Sequence, residues 1–535
     1  MLGRQTGQRS LFEVDFQAPG LVREGSFYRF LASQRGKLFR DEDFASLYHG
    51  KIGRPSVPPS ILATALVLQT YDRVSDEEAT ERASFDLRWK TALGIPLDEA
   101  PFAKSTLQLF RAHLLVHELG RLAFERSLKA ARNRGHLKGR MRLAVDTTNI
   151  FGRGAVKDTY NLLGDGIVLV MRAVAAQEDK AVEEWAAASK LERYISGSSL
   201  TGEADLDWDD AEARKRLLRE IVADADGLLE EVRKARGKLR ECSEEDQALV
   251  AAAETLSQVL LQDIDRDDED GPTLHDGVAK GRMPSAHDPE VRHGHKSASK
   301  RFDGHKAQIA VDTESQIITA VAVLAGNAAD NEGTLALVEA SEESTETEVA
   351  ETVADCAFGD GQTRAAFAEA GRELVAKVPA MRNRGRFPKT AFVLDLEAQT
   401  CICPAKEEGD ARYHKAEHGE AGQLRGFVFA TATCAACSLR SQCVGGRFGR
   451  TIQVHPQEAL LQNARAFQKS PGFRPFKAAR QAVEHRLARL VQLGIRQARY
   501  VGRAKTLFQL LMAATVANLT LIAGREVAPS SQSGA

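Results

Sequence analysis

Over roughly the first 135 positions, apolar residues recur every three or four places, a spacing that predicts short amphipathic helices. Pro58, Pro59 and Ser60 open one over 61–71, with Ile61, Leu62, Ala65, Leu66 and Leu68 on its apolar stripe. Ser75 with Glu78 three places later has the form of a capping box and starts a second. Leu107, Phe110, Leu114 and Leu115 line a third. At Arg142 the pattern changes to an aliphatic run, Leu143-Ala144-Val145, that stops on Asp146, which predicts a buried strand delivering an acid at its carboxyl end. Helical spacing returns over about 168–264, carried by Leu217, Ile221, Leu228, Leu229 and Val232. Two strands over 307–312 and 316–323 flank the turn Thr313-Glu314-Ser315 as a hairpin. A helix over 331–342, a strand over 351–354 ending on Asp355, another helix and a strand over 373–378 follow. Strand, hairpin, helix, strand, helix, strand is the order of an α/β fold with a mixed sheet flanked by helices.

At 535 residues the chain exceeds one ordinary core, so several domains are expected. They are a helical N-terminal domain over 1–135, a sheet-bearing core over 136–175, 285–386 and 457–525, an acidic helical insertion and linker over 176–284, a small cysteine-rich β module over 387–456, and a disordered tail over 526–535. Net charge is only −2, but its placement is uneven: 22 acids face 10 basic residues over 201–270, and 9 basic residues face one acid over 471–505. That asymmetry predicts an anion-binding surface carrying an acidic appendage, whose acids read as a solvated face. Arg54, Arg73, Arg82, Arg88, Lys90, Lys104 and Arg111 suit a DNA-contacting helical bundle and equally a plain bundle with solvated charges. No run of 18 uncharged apolar residues and no apolar leader is present, so no membrane partner and a cytoplasmic location are expected.

The chemistry rests on acids that end strands. Divalent magnesium or manganese takes hard oxygen ligands and only a few carboxylates from protein, and Asp146 and Asp355 are two candidates. Glu484 is the third, the one acid in a basic helix, at the edge of a stripe of Val483, Leu487, Leu490 and Gly494 with Arg486 and Arg489 facing away. Arg480, one turn earlier, is placed to hold that carboxylate or a phosphate. Gly152-x-Gly154 lacks the third glycine of a dinucleotide site. Five of seven cysteines fall between Cys401 and Cys443, and Cys403, Cys434, Cys437 and Cys443 have the spacing of a structural zinc site, with Cys401 or His414 as spare. His293, His295 and His305, interleaved with Lys296, Lys300, Arg301 and Lys306, read as a phosphate-facing strip, as does the Arg-rich stretch over 496–505.

These motifs resemble the DDE transposases of bacterial insertion sequences. Val145-Asp146-Thr147-Thr148-Asn149 resembles their first-Asp region, Ala354-Asp355-Cys356-Ala357-Phe358-Gly359 their second-Asp motif, and Arg480-x₃-Glu484 the Arg and Glu of their third. The block from Asp288 to Lys306 resembles the segment before their hairpin and is the most specific part. Gly53-Arg54-Pro55 through Leu93-Gly94 resembles their helical N-terminal domain, and the cysteine module resembles an insert that related transposases carry. The resemblance implies a ribonuclease-H-like core with Asp146, Asp355 and Glu484 binding two magnesium (or manganese) ions. It implies metal-dependent hydrolysis at transposon ends and strand transfer of the freed 3′-hydroxyl into target DNA. Terminal inverted repeats and target DNA are the expected partners, bound by a homodimer on the DNA. The family's third motif also carries a Tyr and a Lys, which would fall at Lys477 and Val491. Phosphate contacts are therefore assigned to Lys477, Arg480, Arg499 and Arg503, with Arg292, Lys296 and Lys306 from the preceding block. The alternatives are a nuclease of the same fold without strand transfer and a non-catalytic, zinc-stabilised DNA-binding protein.

Overall fold

A computed structural model of the chain describes all residues except 6–9, 51–52, 118, 198, 205, 237–242, 267–270, 298, 415–423 and 528–535. The tail over 526–535, expected to be disordered, therefore falls almost wholly outside the described residues.

The N-terminal part is helical: α1 Phe27–Ser33, α2 Pro59–Asp72, α3 Asp76–Phe85, α4 Leu87–Leu93, α5 Lys104–Val116 and α6 Leu122–Asn133. Half of the expected capping box forms at α3. The Ser75 hydroxyl accepts the Glu78 N–H at 3.1 Å, while the Glu78 carboxylate turns to Arg82 at 2.8 Å. Trp89 anchors α4 in the core, and its indole N–H reaches Asp72 at 2.6 Å.

Six strands form the central mixed sheet: β1 Met141–Phe151, β2 Arg292–Ser297, β3 Lys300–Asp312, β4 Ile318–Ala325, β5 Val349–Ala354 and β6 Leu374–Ala376. β3 runs antiparallel to β1 and pairs on its other side with β2 along its first half and β4 along its second. β5 and β6 continue on the other side of β1, parallel to it. The hairpin pattern predicted two strands; β2 is a third, and its charged text (Arg292, His293, His295, Lys296) hid it because only Gly294 of that strand is buried.

Between β1 and β2 the chain leaves the sheet and builds a separate helical lobe, including α7 Thr159–Gln177, α8 Ala211–Arg236 and α9 Glu244–Asp263. Leu162, Ile167 and Val170 of α7 share a core with Ile221, Leu256 and Val259 that is distinct from the core under the sheet. The lobe thus begins near Thr159, not at 176. The hydrophobic face of α7 has no sheet to cover and buries itself against α8 and α9. The neck is narrow: the Lys157 N–H donates to Pro284 O at 3.1 Å, and Arg282 ties Asp263 to the start of α7.

α10 Thr334–Thr345 and α11 Gly361–Glu369 flank the sheet. The cysteine-bearing module has its own small core of Phe392, Cys401, Phe427, Phe429 and Ile452, and Lys389 pairs with the buried Glu458 where it rejoins the main body. The chain closes with α12 Glu458–Lys469, α13 Gln481–Gln492 and α14 Arg503–Val527. α14 is long and apolar enough to cross a membrane, although Gln509, Thr515, Asn518 and Thr520 interrupt its apolar run. Instead it is the central core helix, with Leu510, Ala513, Val516, Ala517 and Leu519 buried against α2, α6 and β4.

Candidate active site

Asp146 does not end its strand. β1 runs on to Phe151 because β3 accompanies it, pairing Asp146 with Ile309 and Phe151 with Gly304. On the other side the partnership with β5 stops at Ala144–Val353. Asp146 therefore lies where β1 loses its parallel neighbour, a gap into which the chain after β5 delivers Asp355. A sheet that splits exposes an edge without exposing the core, which suits a carboxylate that must be half-buried yet reachable.

Asp146 Oδ1 accepts the Thr147 N–H at 2.7 Å, and Asp355 Oδ1 accepts the Ala357 N–H at 2.8 Å, so both carboxylates have fixed orientations. Glu484, in the first turn of α13, is more open, with its side chain 55 % exposed. One guanidinium links the pair most distant in sequence: Arg480 Nη2 stands 3.6 Å from Asp146 Oδ2 and 3.4 Å from Glu484 Oε1. Burial pushes the Asp146 carboxyl up to about 6; the Thr147 N–H and Arg480 oppose the rise, and the charges of Asp355 and Asp330 add to it. Asp146 and Glu484, 338 residues apart, thus flank one guanidinium, and the charge of Asp355 is felt at Asp146. Arg480 occupies, between Asp146 and Glu484, the electrostatic position a metal cation would fill.

Asp330 was not anticipated. It follows β4 by five residues, with no aliphatic run ending on it, so periodicity carries no signal for it. It holds Lys306, whose Nζ is 2.8 Å from Asp330 Oδ1 and 2.6 Å from Ala328 O. Lys306 is consequently buried and internally satisfied, which corrects its assignment to a DNA phosphate. His305 is corrected likewise. It is fully buried beside Asp288, and burial holds its imidazole below the ordinary value. His293 pairs with Asp303 at 2.5 Å. Lys296 and Lys477 are exposed, as a phosphate contact requires. Arg292 is turned to the carbonyls of Pro289 and Val291, Arg503 to Glu290 at 2.8 Å, and Arg499 to Val74 O at 2.9 Å. Arg486, expected to face away from the body, is buried and donates to Ala517 O at 2.6 Å, because α14 covers that side of α13. Burial lowers it to about 10.

In the small module, Cys403, Cys434, Cys437 and Cys443 line one cavity of about 30 Å³, and burial raises the Cys443 thiol, with the other three cysteines adding to the rise. Cys401 lies apart in the module's core, pushed up to about 11 by burial. Among the described residues, no three His, Cys, Asp or Glu side chains stand in an arrangement that would grip a metal ion. The cavity gathers the thiols without closing them into a cage.

Two families match the chain: one described as Transposase DDE domain over 402–523, the other as Transposase domain (DUF772) over 20–113. Together they indicate a DDE transposase of an insertion sequence. The two families suggest DNA transposition, and a DDE domain implies an enzyme of the polynucleotidyl transferase type, of a kind that acts on DNA and generally uses divalent metal ions. The DDE match takes in most of the cysteine module, Arg480 and Glu484 but not Asp146 or Asp355. No curated protein and no solved structure matches the chain.

Asp146, Asp355 and Glu484 offer the hard oxygens a divalent cation takes, but among the described residues no three such side chains stand close enough to grip one. Burial and the charge of Asp355 raise the Asp146 carboxyl to about 6, a rise that a nearby cation opposes, as Arg480 already does.

Proposed function

We propose that the chain cuts DNA at transposon ends and joins the freed 3′-hydroxyl to target DNA on a ribonuclease-H-like core, with Asp146, Asp355 and Glu484 as the catalytic carboxylates. The observation that carries this reading is the convergence at Arg480: one guanidinium reaches both Asp146 and Glu484, while the charge of Asp355 reaches Asp146.

Asp146, Asp355 and Glu484 would hold two magnesium or manganese ions. Such ions, when bound, activate the attacking oxygen and stabilise the leaving one. The remaining work falls to the chain itself. The short bonds from Thr147 and Ala357 orient two carboxylates before any ligand arrives, so their ordering costs nothing at the moment of reaction. Arg480 swings from the carboxylates towards a non-bridging phosphate oxygen as the local charge is neutralised, and Lys477 and Lys296 meet neighbouring phosphates. The helical segment over 1–135 grips the terminal repeats, the sheet with 457–525 forms the catalytic body, and synapsis of two ends assembles a homodimer on the DNA. The module over 387–456 would take a structural zinc only if ion binding drew Cys403, Cys434, Cys437 and Cys443, which line one small cavity, closer together.

The test is end cleavage and joining by purified protein with magnesium and DNA carrying the element's flanking repeats. Asp146→Asn, Asp355→Asn and Glu484→Gln are each expected to reduce cleavage by at least a thousandfold while DNA binding persists. Retained cleavage in any one removes that residue from the site, and cleavage without joining assigns a nuclease instead.

A further inference from the structure

A cleft of about 320 Å³ lies away from the carboxylates, between the N-terminal helices and the C-terminal body. One wall comes from the end of α2, the start of α3 and Arg111 of α5; the other comes from the chain between α13 and α14 and from α14 itself. Each wall thus belongs to a different one of the two matched segments. Leu66, Val74, Leu493, Phe508 and Met512 give the cleft apolar lining, and Arg73, Arg111, Arg153 and Arg499 line it too, with no carboxylate among the lining residues.

The four arginines divide into two kinds. Arg111 and Arg499 are fixed: Arg111 Nη2 is 2.6 Å from Asp76 Oδ1, Arg499 Nη2 is 3.7 Å from the same oxygen, and the Arg111 guanidinium lies 5.5 Å over the Tyr500 ring. Arg73 and Arg153 are exposed, and their side chains have no hydrogen bond or ion pair with any described residue. Arg73 also sits at the C-terminus of α2 with φ +60°, a backbone state disfavoured for an arginine, and its side chain crosses the cleft towards Gly494. No carboxylate lines the cleft beside its four arginines, although Asp72, Asp76, Glu77 and Glu78 lie on the same elements, and planar guanidiniums whose side chains lack partners are suited to phosphate oxygens.

We propose that the cleft is a clasp for the backbone phosphates of duplex DNA, with Arg73 and Arg153 making the contacts and Arg111 and Arg499 supplying a rigid positive field. It rests on the DNA-transposition reading and adds to it a second contact region. Scale favours a duplex over a free anion. From Asp146, β1 runs to Phe151, whose carbonyl bonds to Ala498 on the cleft's wall at 2.8 Å. Five residues of strand cover about 17 Å at ~3.3 Å each, about half a turn of DNA. One duplex therefore spans the clasp and the carboxylates together, and the clasp joins the N-terminal helices to the catalytic body across it.

The test uses the full-length protein and a fluorescent duplex carrying an element end, with affinity measured from 50 to 300 mM salt. In the double variant Arg73→Asn, Arg153→Gln, asparagine tolerates the left-handed backbone at 73. Its affinity is expected to fall at least tenfold near 150 mM salt, and the slope of log K against log salt is expected to shrink by about 1.8, two phosphates at ~0.9 each. Lysine at both positions is expected to restore most of the slope, and Arg153→Gln alone to remove about half of the change. Unchanged affinity and slope in the double variant, with the wild type binding normally, overturns the clasp and leaves transposition standing. A wild type that binds no duplex overturns both. Inorganic phosphate at millimolar concentration that raises the melting temperature of the wild type but not the double variant, with DNA binding equal in the two, assigns a small-anion site and also overturns the clasp.

Discussion

At Asp146 the cost of building the site is measurable. Its carboxyl is raised from 3.8 to about 6, so the folded protein holds a proton over that interval which the unfolded chain has lost. Metal-free protein must then lose stability as pH rises from about 4 to 6, by at most about 3 kcal/mol at pH 8, from ~1.4 kcal/mol per unit. Asp146→Asn abolishes the titration. In EDTA it is expected to be more stable than wild type at pH 8 and no more stable at pH 4, in urea unfolding at both pH values. Adding magnesium at pH 8 is expected to stabilise wild type and not the variant. Equal wild-type and variant stabilities at pH 8 would show that Asp146 is not under electrostatic strain. Asp146, Asp355 and Glu484 were all legible as residues, since two end aliphatic runs and one interrupts a basic helix. Asp330 and the burial of Lys306 were not, because both arise from a loop folding back beneath β3.

Among the elements, β4 depends on a single buried amide. Ile318 begins the strand, and its N–H and carbonyl are both satisfied by Asn518 on α14, at 2.9 Å each. Asn518→Leu keeps the volume but orphans two buried backbone groups. At ~1–3 kcal/mol for each, a loss of about 2–6 kcal/mol is expected in urea denaturation; a loss under 0.5 kcal/mol would mean that water replaces the amide. Gly304 is the second such point. Its φ is +155°, and a Cβ there would lie 2.0 Å from Ile150 O, where β1, β2 and β3 meet. Gly304→Ala is expected to cost more than about 2 kcal/mol by forcing β1 away from β3. Wild-type stability and cleavage in that variant would contradict the pairing. A two-residue period reveals neither dependence, since it reports which face of a strand is buried and not what closes its ends.

For the whole molecule, the two separate cores predict modularity. The helical lobe enters and leaves at the Lys157–Pro284 hydrogen bond and buries its own apolar faces. Replacing 159–283 with a short Gly-Ser linker is therefore expected to give a soluble protein whose remaining helices and sheet melt cooperatively, as followed by circular dichroism. Aggregation of the product would show that the lobe is integral to the main core. For the module, purified protein with reduced cysteines is expected to hold about one zinc per chain by elemental analysis, and Cys434→Ser with Cys437→Ser to release it. Absence of zinc in the wild type would leave the cavity a cluster of thiols.

By itself the sequence determined the classes of element, the uneven charge and the residues with chemical capacity, because periodicity and residue type are local properties. It also marked the interruptions between Asp146, Asp355 and Glu484, since a change of composition is visible wherever it occurs. Tertiary structure alone decided that Asp146 sits where β1 parts from β5, that Arg480 reaches two of the acids, and that Lys306 and His305 are buried. It also decided that α7 belongs to the lobe and that two unpartnered arginines face one cleft. Each of these depends on which distant segments lie against one another, and burial and electrostatic strain exist only once those segments have met.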